Sequence, residues 1–316
     1  MDLLNECDKA YERIKKDIYR TPLLYSHWLS DACNGRVYLK LESEQITGSF
    51  KARGSLNKLR WMQEQEIKAL PVTASTGNHG LGFAWACDLL EMDAKVYLPN
   101  NAAEPKVDAI QRYDIEIQFY GNGPFETEQY LREKAHKKGW AYISPYNDPQ
   151  IIGGQGTIAM EVLDKLPAPD HILTTVGGGG LISGIGTVAK ENSPGSRLIG
   201  CQPVNSPEMS ASVQAGKYQQ IESKPTLSAG SAGGFEPAAI TFDCCRRLVD
   251  DFILTSEHEI AEAIRLTAKH HHKIIEGAAG VAIASLLKDP SRFSKQTTVI
   301  VVCGANISLK KLRNLL

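Results

Sequence analysis

Short apolar stretches alternate with longer amphipathic stretches along most of the chain. Runs such as "RVYLKLE", "LPVTAS", "AKVYLP", "IEIQFYG" and "HILTTV" have the length and composition of buried strands. Each is followed by a segment in which apolar positions have helical spacing, for example "GSFKARGSLNKLRWMQEQ", "GLGFAWACDLLEM" and "GLISGIGTVAKE". A strand followed by a helix, repeated several times, is typical of βαβ units. The pattern therefore predicts an α/β fold with largely parallel sheets flanked by helices.

The middle of the chain carries its own series of these units. From about Leu70 to Ser144, strand-like runs and helical segments follow one another without interruption. A series of this length is enough for a small sheet with its own core. We therefore predict a small domain over residues 67–145, inserted in a larger domain that residues 1–66 and 146–316 form together.

Composition narrows the range of partners. The chain of 316 residues is 42% apolar and 22% charged, and its 35 Lys and Arg residues balance 36 Asp and Glu residues. This balance gives no electrostatic reason to expect nucleic acid or an anionic membrane as a partner. The least charged stretch, Ile172 to Ala189, contains six glycines and is too polar to span a bilayer. We expect a small molecule as the partner.

The cysteines and the N-terminal segment favour a cytoplasmic location. Seven cysteines are scattered without a CxxC pair, and their number is odd, which is typical of free thiols in a reducing compartment. The first segment, "MDLLNECDKAYERIKKD", has a charged amphipathic pattern without the apolar stretch of a signal peptide. We therefore expect a cytoplasmic protein.

Four consecutive glycines mark the first candidate site. They lie in "TTVGGGGLISG", between a strand-like run and a helix start, and they are Gly177, Gly178, Gly179 and Gly180. Glycine permits positive φ and lets backbone N–H groups approach an anion at the positive end of a helix. The sequence therefore predicts a phosphate-binding loop. It has neither the Lys-Ser/Thr of a Walker A loop nor the GxGxxG spacing of a dinucleotide site.

Two further helix starts carry candidate chemistry. In "ASTGNHG", Ser75, Thr76 and Asn78 place side-chain donors at a helix N-terminus, which suits a carboxylate. For this stretch alone, an N-cap cluster is an equal alternative. In "GSFKARG", Lys51 lies at the helix end that disfavours a cation. That position and the neighbouring Arg53 predict a lowered pKa for the Lys51 amine.

These motifs occur together in one family. In this order, "TGSFKARG", "STGNHG", "GGGGL" and "VVCGAN" resemble the fold type II pyridoxal-phosphate enzymes, in the branch of serine/threonine dehydratases (ammonia-lyases) and serine racemases. "YRTPL" and "GGQGT" are similar to the same branch, so the resemblance covers nearly the whole chain. It implies a tryptophan synthase β-like fold with two open, twisted, mostly parallel sheets. It also implies a homodimer, and pyridoxal 5'-phosphate bound covalently through the amine of Lys51.

The resemblance also implies roles for individual residues. Phe50 packs on one face of the cofactor ring, Asn78 bonds the phenolic oxygen, and Cys303 lies beside the pyridine nitrogen. Glu276 matches a glutamate near the ring, with helix capping as the alternative. The phosphate is held by the backbone N–H groups of Gly177, Gly178, Gly179, Gly180 and Leu181. The substrate carboxylate is held in a pocket formed by Ser75, Thr76, Gly77 and His79.

The implied activity is deamination of a β-hydroxy amino acid such as serine, threonine or 3-hydroxyaspartate. Lys51 removes the Cα proton and the β-hydroxyl leaves as water. The released aminoacrylate then reacts with water to give a 2-oxo acid and ammonia. A thiol at Cys303 does not keep the ring nitrogen charged as an aspartate would, which favours rapid elimination over transamination.

Two alternatives stay open. Racemisation on the same scaffold is the first, although Thr76 stands where racemases and many dehydratases have serine, and its restricted χ1 disfavours proton delivery. A non-catalytic cofactor-binding protein is the second, and the intact set of Lys51, Asn78 and Cys303 argues against it.

We predict no metal site. In metal-regulated relatives the region of "CQPVNSPEMS" carries two carboxylates, whereas Gln202 replaces the first one here and only Glu208 remains. One carboxylate with neutral oxygens is a weak ligand set for Mg²⁺ or Ca²⁺. Consecutive residues point about 100° apart on a helix, so the "HHH" run at 270–272 does not bind one ion. We interpret that run as a mostly solvated face.

Overall fold

The computed structural model describes residues 2–316, which form two sheets flanked by helices. The helices are α1 (Leu3–Ile14), α2 (His27–Cys33), α3 (Lys51–Glu64), α4 (Asn78–Leu89), α5 (Glu104–Gln111), α6 (Pro124–Lys138), α7 (Pro149–Lys165), α8 (Gly180–Asn192), α9 (Glu208–Ala215), α10 (Ile240–Leu248), α11 (Glu257–His271), α12 (Gly277–Lys288) and α13 (Leu309–Leu315). The strands are β1 (Leu23–Tyr25), β2 (Arg36–Lys40), β3 (Pro71–Ala74), β4 (Lys95–Leu98), β5 (Glu116–Phe119), β6 (Ala141–Tyr142), β7 (His171–Thr175), β8 (Arg197–Pro203), β9 (Asp251–Thr255) and β10 (Thr297–Val301).

The larger sheet has six strands in the order β1-β2-β10-β7-β8-β9. β1 is antiparallel to β2, and every other neighbouring pair is parallel. The register places Thr298 of β10 opposite Val37 of β2 on one side and His171 of β7 on the other. Every residue of β7 and β10 is buried, as expected for parallel strands that helices cover on both faces. The predicted α/β fold with mostly parallel sheets is confirmed.

The smaller sheet has four parallel strands in the order β5-β4-β3-β6. All four lie within the predicted insertion at 67–145, which we propose as a domain on this basis. Its apolar core extends beyond those boundaries, since Leu56 and Leu59 of α3 pack in the same cluster as Phe83 and Val96. The small domain therefore depends on the helix that begins at Lys51.

Glycines allow three helices to pack backbone to backbone. A Cβ added at Gly154 of α7 would lie 2.6 Å from the Cα of Gly54 in α3. One added at Gly184 of α8 would lie 2.6 Å from the backbone nitrogen of Gly156, also in α7. No side chain fits between helices at these distances. Because α3 begins at Lys51 and α8 begins in the glycine loop, α7 fixes two parts of the candidate site relative to each other.

Local capping explains where several of these helices begin. Asp148 accepts hydrogen bonds from two backbone N–H groups in the first turn of α7. Ser256 and Glu259 form a capping box at the start of α11. At the other end of α6, Gly139 closes the helix in a left-handed conformation with φ 67°. Each device satisfies backbone groups that have no partner within the helix.

Four elements in the second half of the chain were not predicted, namely α9, α10, α13 and β9. β9 is the edge strand of the larger sheet, and four of its five residues are only half-buried. An edge strand of this kind carries a weak apolar signal.

In the part of the chain that the structure describes, no helix has the length and apolar character needed to cross a membrane.

The interpretation of the histidine run as a mostly solvated face is confirmed for His270 and His272, which are exposed, whereas His271 is half-buried. The ring of His270 stacks on Trp28 of α2, with centroids 4.8 Å apart. The Nε2 atom of His271 lies 2.8 Å from the hydroxyl of Ser26, the residue that caps α2. These two histidines therefore pack α11 against α2.

All seven cysteines lie within residues 2–316, and each of them is buried and unpaired.

Candidate active site

The candidate site lies beyond the carboxyl ends of β7 and β10, which are adjacent parallel strands. The glycine loop follows β7, and Cys303 follows β10. Ser49 forms a β-bridge with Gly304, and the backbone N–H of Phe50 donates to the carbonyl of Cys303 at 3.1 Å. This pairing places Lys51, the first residue of α3, beside the end of β10. The carboxyl edge of a parallel sheet is the usual place for a ligand in such folds.

The amine of Lys51 is close to both apolar and polar groups. It donates a hydrogen bond to the backbone carbonyl of Pro145 at 2.6 Å, and it lies 5.1 Å from the centre of the Phe50 ring. Burial lowers the pKa of Lys51 to about 8, while the nearby Cys303 and Glu276 oppose the shift. A substantial fraction of the amine is therefore neutral near physiological pH, as a nucleophile or general base requires.

The lowered pKa was predicted, but Arg53, one of the two causes predicted for it, does not contribute. Arg53 is not responsible for the lowered pKa of Lys51, because its guanidinium is paired with two other side chains. It is completely buried and donates to Glu42 at 2.7 Å and to Glu161 at 2.7 Å. The pKa of Lys51 is lowered by loss of solvent, not by a neighbouring cation.

The glycine loop has no room for side chains. Gly179 has φ +86°, which favours glycine strongly, and it immediately precedes α8. A Cβ at Gly178 would overlap the ring of Tyr146, and one at Gly180 would lie 3.0 Å from the Cα of the same tyrosine. A Cβ at Gly177 would lie 2.8 Å from the Cα of Ser231. The loop and the first turn of α8 therefore present backbone N–H groups without side chains, which suits an anion.

A hydrogen-bonded chain of Asn78, Glu276 and Asn306 forms another wall. The amide nitrogen of Asn78 donates to Glu276 at 2.8 Å, and its amide oxygen accepts from Asn306 at 2.7 Å. Burial raises the pKa of Glu276 to about 7, and the Asn78 hydrogen bond opposes that shift. Two groups with pKa values moved towards neutrality, Lys51 and Glu276, thus lie close enough to affect each other, which is typical of catalytic sites.

Glu276 occupies the position before α12, but its side chain makes no capping hydrogen bond. The helix-capping alternative for this residue is therefore wrong. A Cβ at Gly304 would lie 2.6 Å from the carboxylate of Glu276, and one at Gly230 would lie 3.6 Å from it. The carboxylate therefore lies between the segment after β10 and the 226–234 loop.

The loop before α4 contains the residues predicted to hold the substrate carboxylate. Ser75 and Thr76 are half-buried, and Gly77 is exposed. The hydroxyl of Ser75 accepts from the backbone N–H of Gly77 at 3.2 Å. This turn leaves the first N–H groups of α4 without helical acceptors. The substrate-binding role of these residues stays a prediction.

His79 lies at the same helix start but points away from solvent. Its side chain is 3% exposed, and its Nε2 atom lies 3.1 Å from the carbonyl of Ile143. Burial lowers the pKa of His79 to about 3, and the charge of Lys51 adds to the effect. The imidazole is therefore neutral, and we propose that its backbone N–H, not its ring, is the group available to a carboxylate.

A cluster around Tyr146 was not predicted. The hydroxyl of Tyr146 accepts from the backbone N–H of Glu236 at 2.8 Å. The carboxylate of Glu236 in turn binds the side chain of Asn147 at 2.8 Å and that of Arg132 on α6 at 3.0 Å. These contacts join the small sheet's helix α6 to the loop before α10, next to the glycine loop. Since Tyr146 and Glu236 are 90 residues apart, no local pattern indicated their contact.

The region around Glu208 is occupied by hydroxyl donors. Ser206 donates to the Glu208 carboxylate at 2.7 Å, and Ser223 also donates to it. The amide of Gln202 donates to the carbonyl of Ser206 at 3.4 Å. Within residues 2–316, no group of three His, Cys, Asp or Glu side chains is arranged to hold a metal ion.

The donor set fits pyridoxal phosphate. A glycine loop at a helix start suits the phosphate, and an amine with a lowered pKa suits the aldehyde. The Phe50 ring beside that amine suits one face of the pyridine. Burial raises the pKa of Cys303 well above its usual value, so this thiol would be neutral beside the ring nitrogen.

The replacement Gly178→Ala tests the glycine loop. Because the added methyl group overlaps the Tyr146 ring, we expect it to weaken pyridoxal phosphate binding by about 10-fold or more. Titration of cofactor-free protein, followed by absorbance, measures this. The control is Gly195→Ala, since a Cβ at Gly195 meets nothing within 4 Å. Equal affinities of the two variants would contradict a role of the loop in binding.

Comparison with known proteins gives consistent matches. The sequence profile of the family described as "Pyridoxal-phosphate dependent enzyme" matches residues 14–304. L-threonine ammonia-lyase of Thermotoga maritima is 36% identical over 309 residues, which are 98% of this chain and 77% of that protein. The processed form of threonine deaminase isoform 2 from Solanum lycopersicum superposes with a TM-score of 0.94 at 30% identity, covering 99% of this chain and 87% of that one. Maize serine racemase superposes with a TM-score of 0.91 at 28% identity, covering 98% and 95%.

Proposed function

The chain belongs to the family of pyridoxal-phosphate dependent enzymes, and we propose that L-threonine is its preferred substrate. It is a pyridoxal-phosphate-dependent ammonia-lyase that eliminates water from a β-hydroxy amino acid. Water then hydrolyses the released enamine to a 2-oxo acid and ammonia. The observation that carries the threonine assignment is the match to the L-threonine ammonia-lyase of Thermotoga maritima over 98% of this chain. Serine and 3-hydroxyaspartate are the other candidate substrates.

Some residues of the site would bind the cofactor and the substrate, and others would transfer protons. Bound pyridoxal phosphate supplies an electron sink for the charge that develops on the substrate Cα. We propose that the glycine loop holds the phosphate and that Asn78 and Phe50 orient the ring. The loop of Ser75, Thr76 and Gly77, at the start of α4, would hold the substrate carboxylate.

Lys51 is the proposed general base. Its pKa of about 8 leaves enough neutral amine to accept the Cα proton near neutral pH. The Phe50 ring and the buried Cys303 lie close to this amine. Because burial disfavours the charged form, the amine returns its proton readily once the proton has been taken.

Racemisation is the second candidate function, supported by the superposition on maize serine racemase. A racemase needs a second group that delivers a proton to the opposite face of Cα. Thr76 has a hydroxyl for this purpose, but its methyl group restricts the rotamers that the hydroxyl reaches. This restriction supports elimination as the main reaction.

A substrate panel tests the proposal. Purified protein supplied with cofactor is incubated with the D and L forms of threonine, serine and 3-hydroxyaspartate. We expect 2-oxobutyrate and ammonia from L-threonine at the highest kcat/KM, with recovered substrate of unchanged configuration. A higher kcat/KM for another amino acid would refute the threonine assignment. Inverted substrate without 2-oxo acid would favour the racemase instead.

We also propose a cytoplasmic homodimer. Seven buried, unpaired cysteines are compatible with a reducing compartment. Tyr19, Ile274 and Leu309 expose more than half of their large apolar side chains, and burial in a dimer would remove this apolar area from water. Sedimentation of the purified protein near twice the mass of the 34.6 kDa chain would support the dimer, and sedimentation as a monomer would refute it.

A further inference from the structure

The hydrogen bond between Lys51 and Pro145 has no place in the reaction described so far. The amine donates to a backbone carbonyl that lies 94 residues further along the chain, at 2.6 Å. In the proposed reaction the Lys51 amine is the base that accepts the Cα proton. While it acts as the base, it would have to be free of the cofactor and within reach of that proton. A long lysine side chain otherwise has considerable rotamer freedom.

The Pro145 carbonyl is held in place by a compact turn. The hydroxyl of Ser144 accepts from the backbone N–H of Asn147 at 3.0 Å and from that of Tyr146 at 3.5 Å. Ser144 is 5% exposed, so its hydroxyl has little water to replace these partners. The N–H of Tyr146 belongs to the same peptide group as the Pro145 carbonyl, so a hydroxyl that accepts from it helps to hold that carbonyl in place.

Both sides of this turn are anchored to rigid elements. On one side, the backbone N–H of Ile143 donates to the carbonyl of Val72 in β3 at 2.8 Å. On the other side, the side chain of Asn147 accepts from the backbone N–H of Ile240 at 2.9 Å. The ring of Tyr146 fills the space in front of Gly178 in the glycine loop. The turn thus connects the small sheet, the glycine loop and the start of α10.

We propose that the turn of residues 144–147 is the resting place of the free Lys51 amine, and that Ser144 is a positioning residue for it. This inference rests on the proposed function, because it assigns a role to the amine during turnover. The carbonyl of Pro145 accepts one N–H of the amine. The lone pair of the neutral amine then points away from that bond and stays available to the substrate Cα proton.

The same contact affects the protonation of the amine. A carbonyl that accepts from an ammonium group stabilises the charged form, so this bond raises the pKa of Lys51 against the effect of burial. The ionisable groups that face the amine are Glu276 before α12, Cys303 after β10 and His79 on α4. Glu276 and Cys303 oppose the lowering by burial, and all three residues are retained when Ser144 is replaced.

Replacement of Ser144 separates this role from general stability. In Ser144→Ala the turn loses its acceptor, so the carbonyl leaves its position and the pKa of Lys51 falls below the wild-type value of about 8. Ser144→Thr keeps the hydroxyl and is expected to restore the wild-type pKa. Ser308→Ala, which removes an exposed helix cap on α13, is the matched control.

The pKa is measured on full-length protein from which the cofactor has been removed. Reductive methylation at a series of pH values, read at Lys51 by peptide mass spectrometry, gives the midpoint for each variant. Recovery of activity on adding the cofactor back shows that the fold has survived. For the loaded enzyme we expect kcat of Ser144→Ala to fall about 10-fold, because a small displacement of a reacting group is costly, while KM changes little.

The outcomes separate this proposal from the proposed function. An unchanged labelling midpoint in Ser144→Ala would overturn the positioning role, whatever the activity of that variant. An equal shift in Ser308→Ala would overturn it as well, since the effect would then be general. The labelling needs no turnover, so inactivity of the wild-type enzyme on β-hydroxy amino acids would refute the proposed function alone.

Discussion

Replacing Lys51 with alanine is expected to lower kcat/KM for L-threonine deamination by about 10³-fold or more. The variant loses both the covalent attachment of the cofactor and the base that accepts the Cα proton. The fold should persist, because the removed amine contributes only one hydrogen bond, to Pro145. Formation of 2-oxobutyrate measures the activity, and circular dichroism checks the fold.

A chemical readout accompanies the kinetic one. Borohydride reduction of the loaded wild-type protein should attach the cofactor permanently to the peptide that contains Lys51, and the alanine variant should show no attachment. Lys68→Ala is the control, since Lys68 is exposed and lies beyond the end of α3. Appreciable turnover by Lys51→Ala, or borohydride attachment at another lysine, would disprove the assignment of this residue.

Parts of the fold were predictable because their signal is local. β7 and β10 are buried at every residue, so their sequences are continuous runs of β-branched and apolar residues. The glycine loop combines a strand end, four glycines and a helix start within a few residues. In contrast, β9 is half-buried at the sheet edge, and its identity as a strand depends on pairing with β8. Such pairing is a tertiary contact, which cannot be predicted from the residues of the strand alone.

The candidate site shows the same division. Lys51, Asn78 and the four glycines belong to motifs whose order along the chain resembles one family. Tyr146 belongs to no such motif, and its importance comes from lying against Gly178 in the folded chain. The pKa of Lys51 is a similar case. The sequence predicted that this pKa is lowered, but the cause is burial, which depends on all the residues that surround the amine in the folded chain.

Arg53 shows most clearly what the sequence left open. Four charged side chains, Lys40, Glu42, Arg53 and Glu161, form a buried network in which none is more than 4% exposed. Arg53 donates to both carboxylates, and Lys40 lies 2.5 Å from Glu161 and 3.9 Å from Glu42. Burial alone would raise the pKa of Glu42, but the charge and hydrogen bonds of Arg53 lower it. Two positive and two negative charges therefore balance beneath the first turn of α3.

We expect Arg53→Met to destabilise the protein by about 3–5 kcal/mol, because it leaves a buried carboxylate without its partner. The side chain that remains has similar length, so lost packing contributes little. Urea unfolding measures the change as a lower midpoint at an unchanged slope. The control is Arg246→Met, whose ion pair with Asp243 is largely exposed and whose loss should cost less than about 1 kcal/mol.

The network also bears on the site, since Arg53 lies two residues after Lys51 on the same helix. We expect Arg53 to hold the start of α3 in place. Arg53→Met should therefore be less active than the wild type even at temperatures at which the variant is fully folded. A second variant, Glu161→Gln, keeps a hydrogen-bonding oxygen but leaves three charges instead of four, and it should show a smaller loss of stability. If the stability of Arg53→Met equals that of the Arg246→Met control, the carboxylates do not depend on Arg53 and the network does not stabilise this helix.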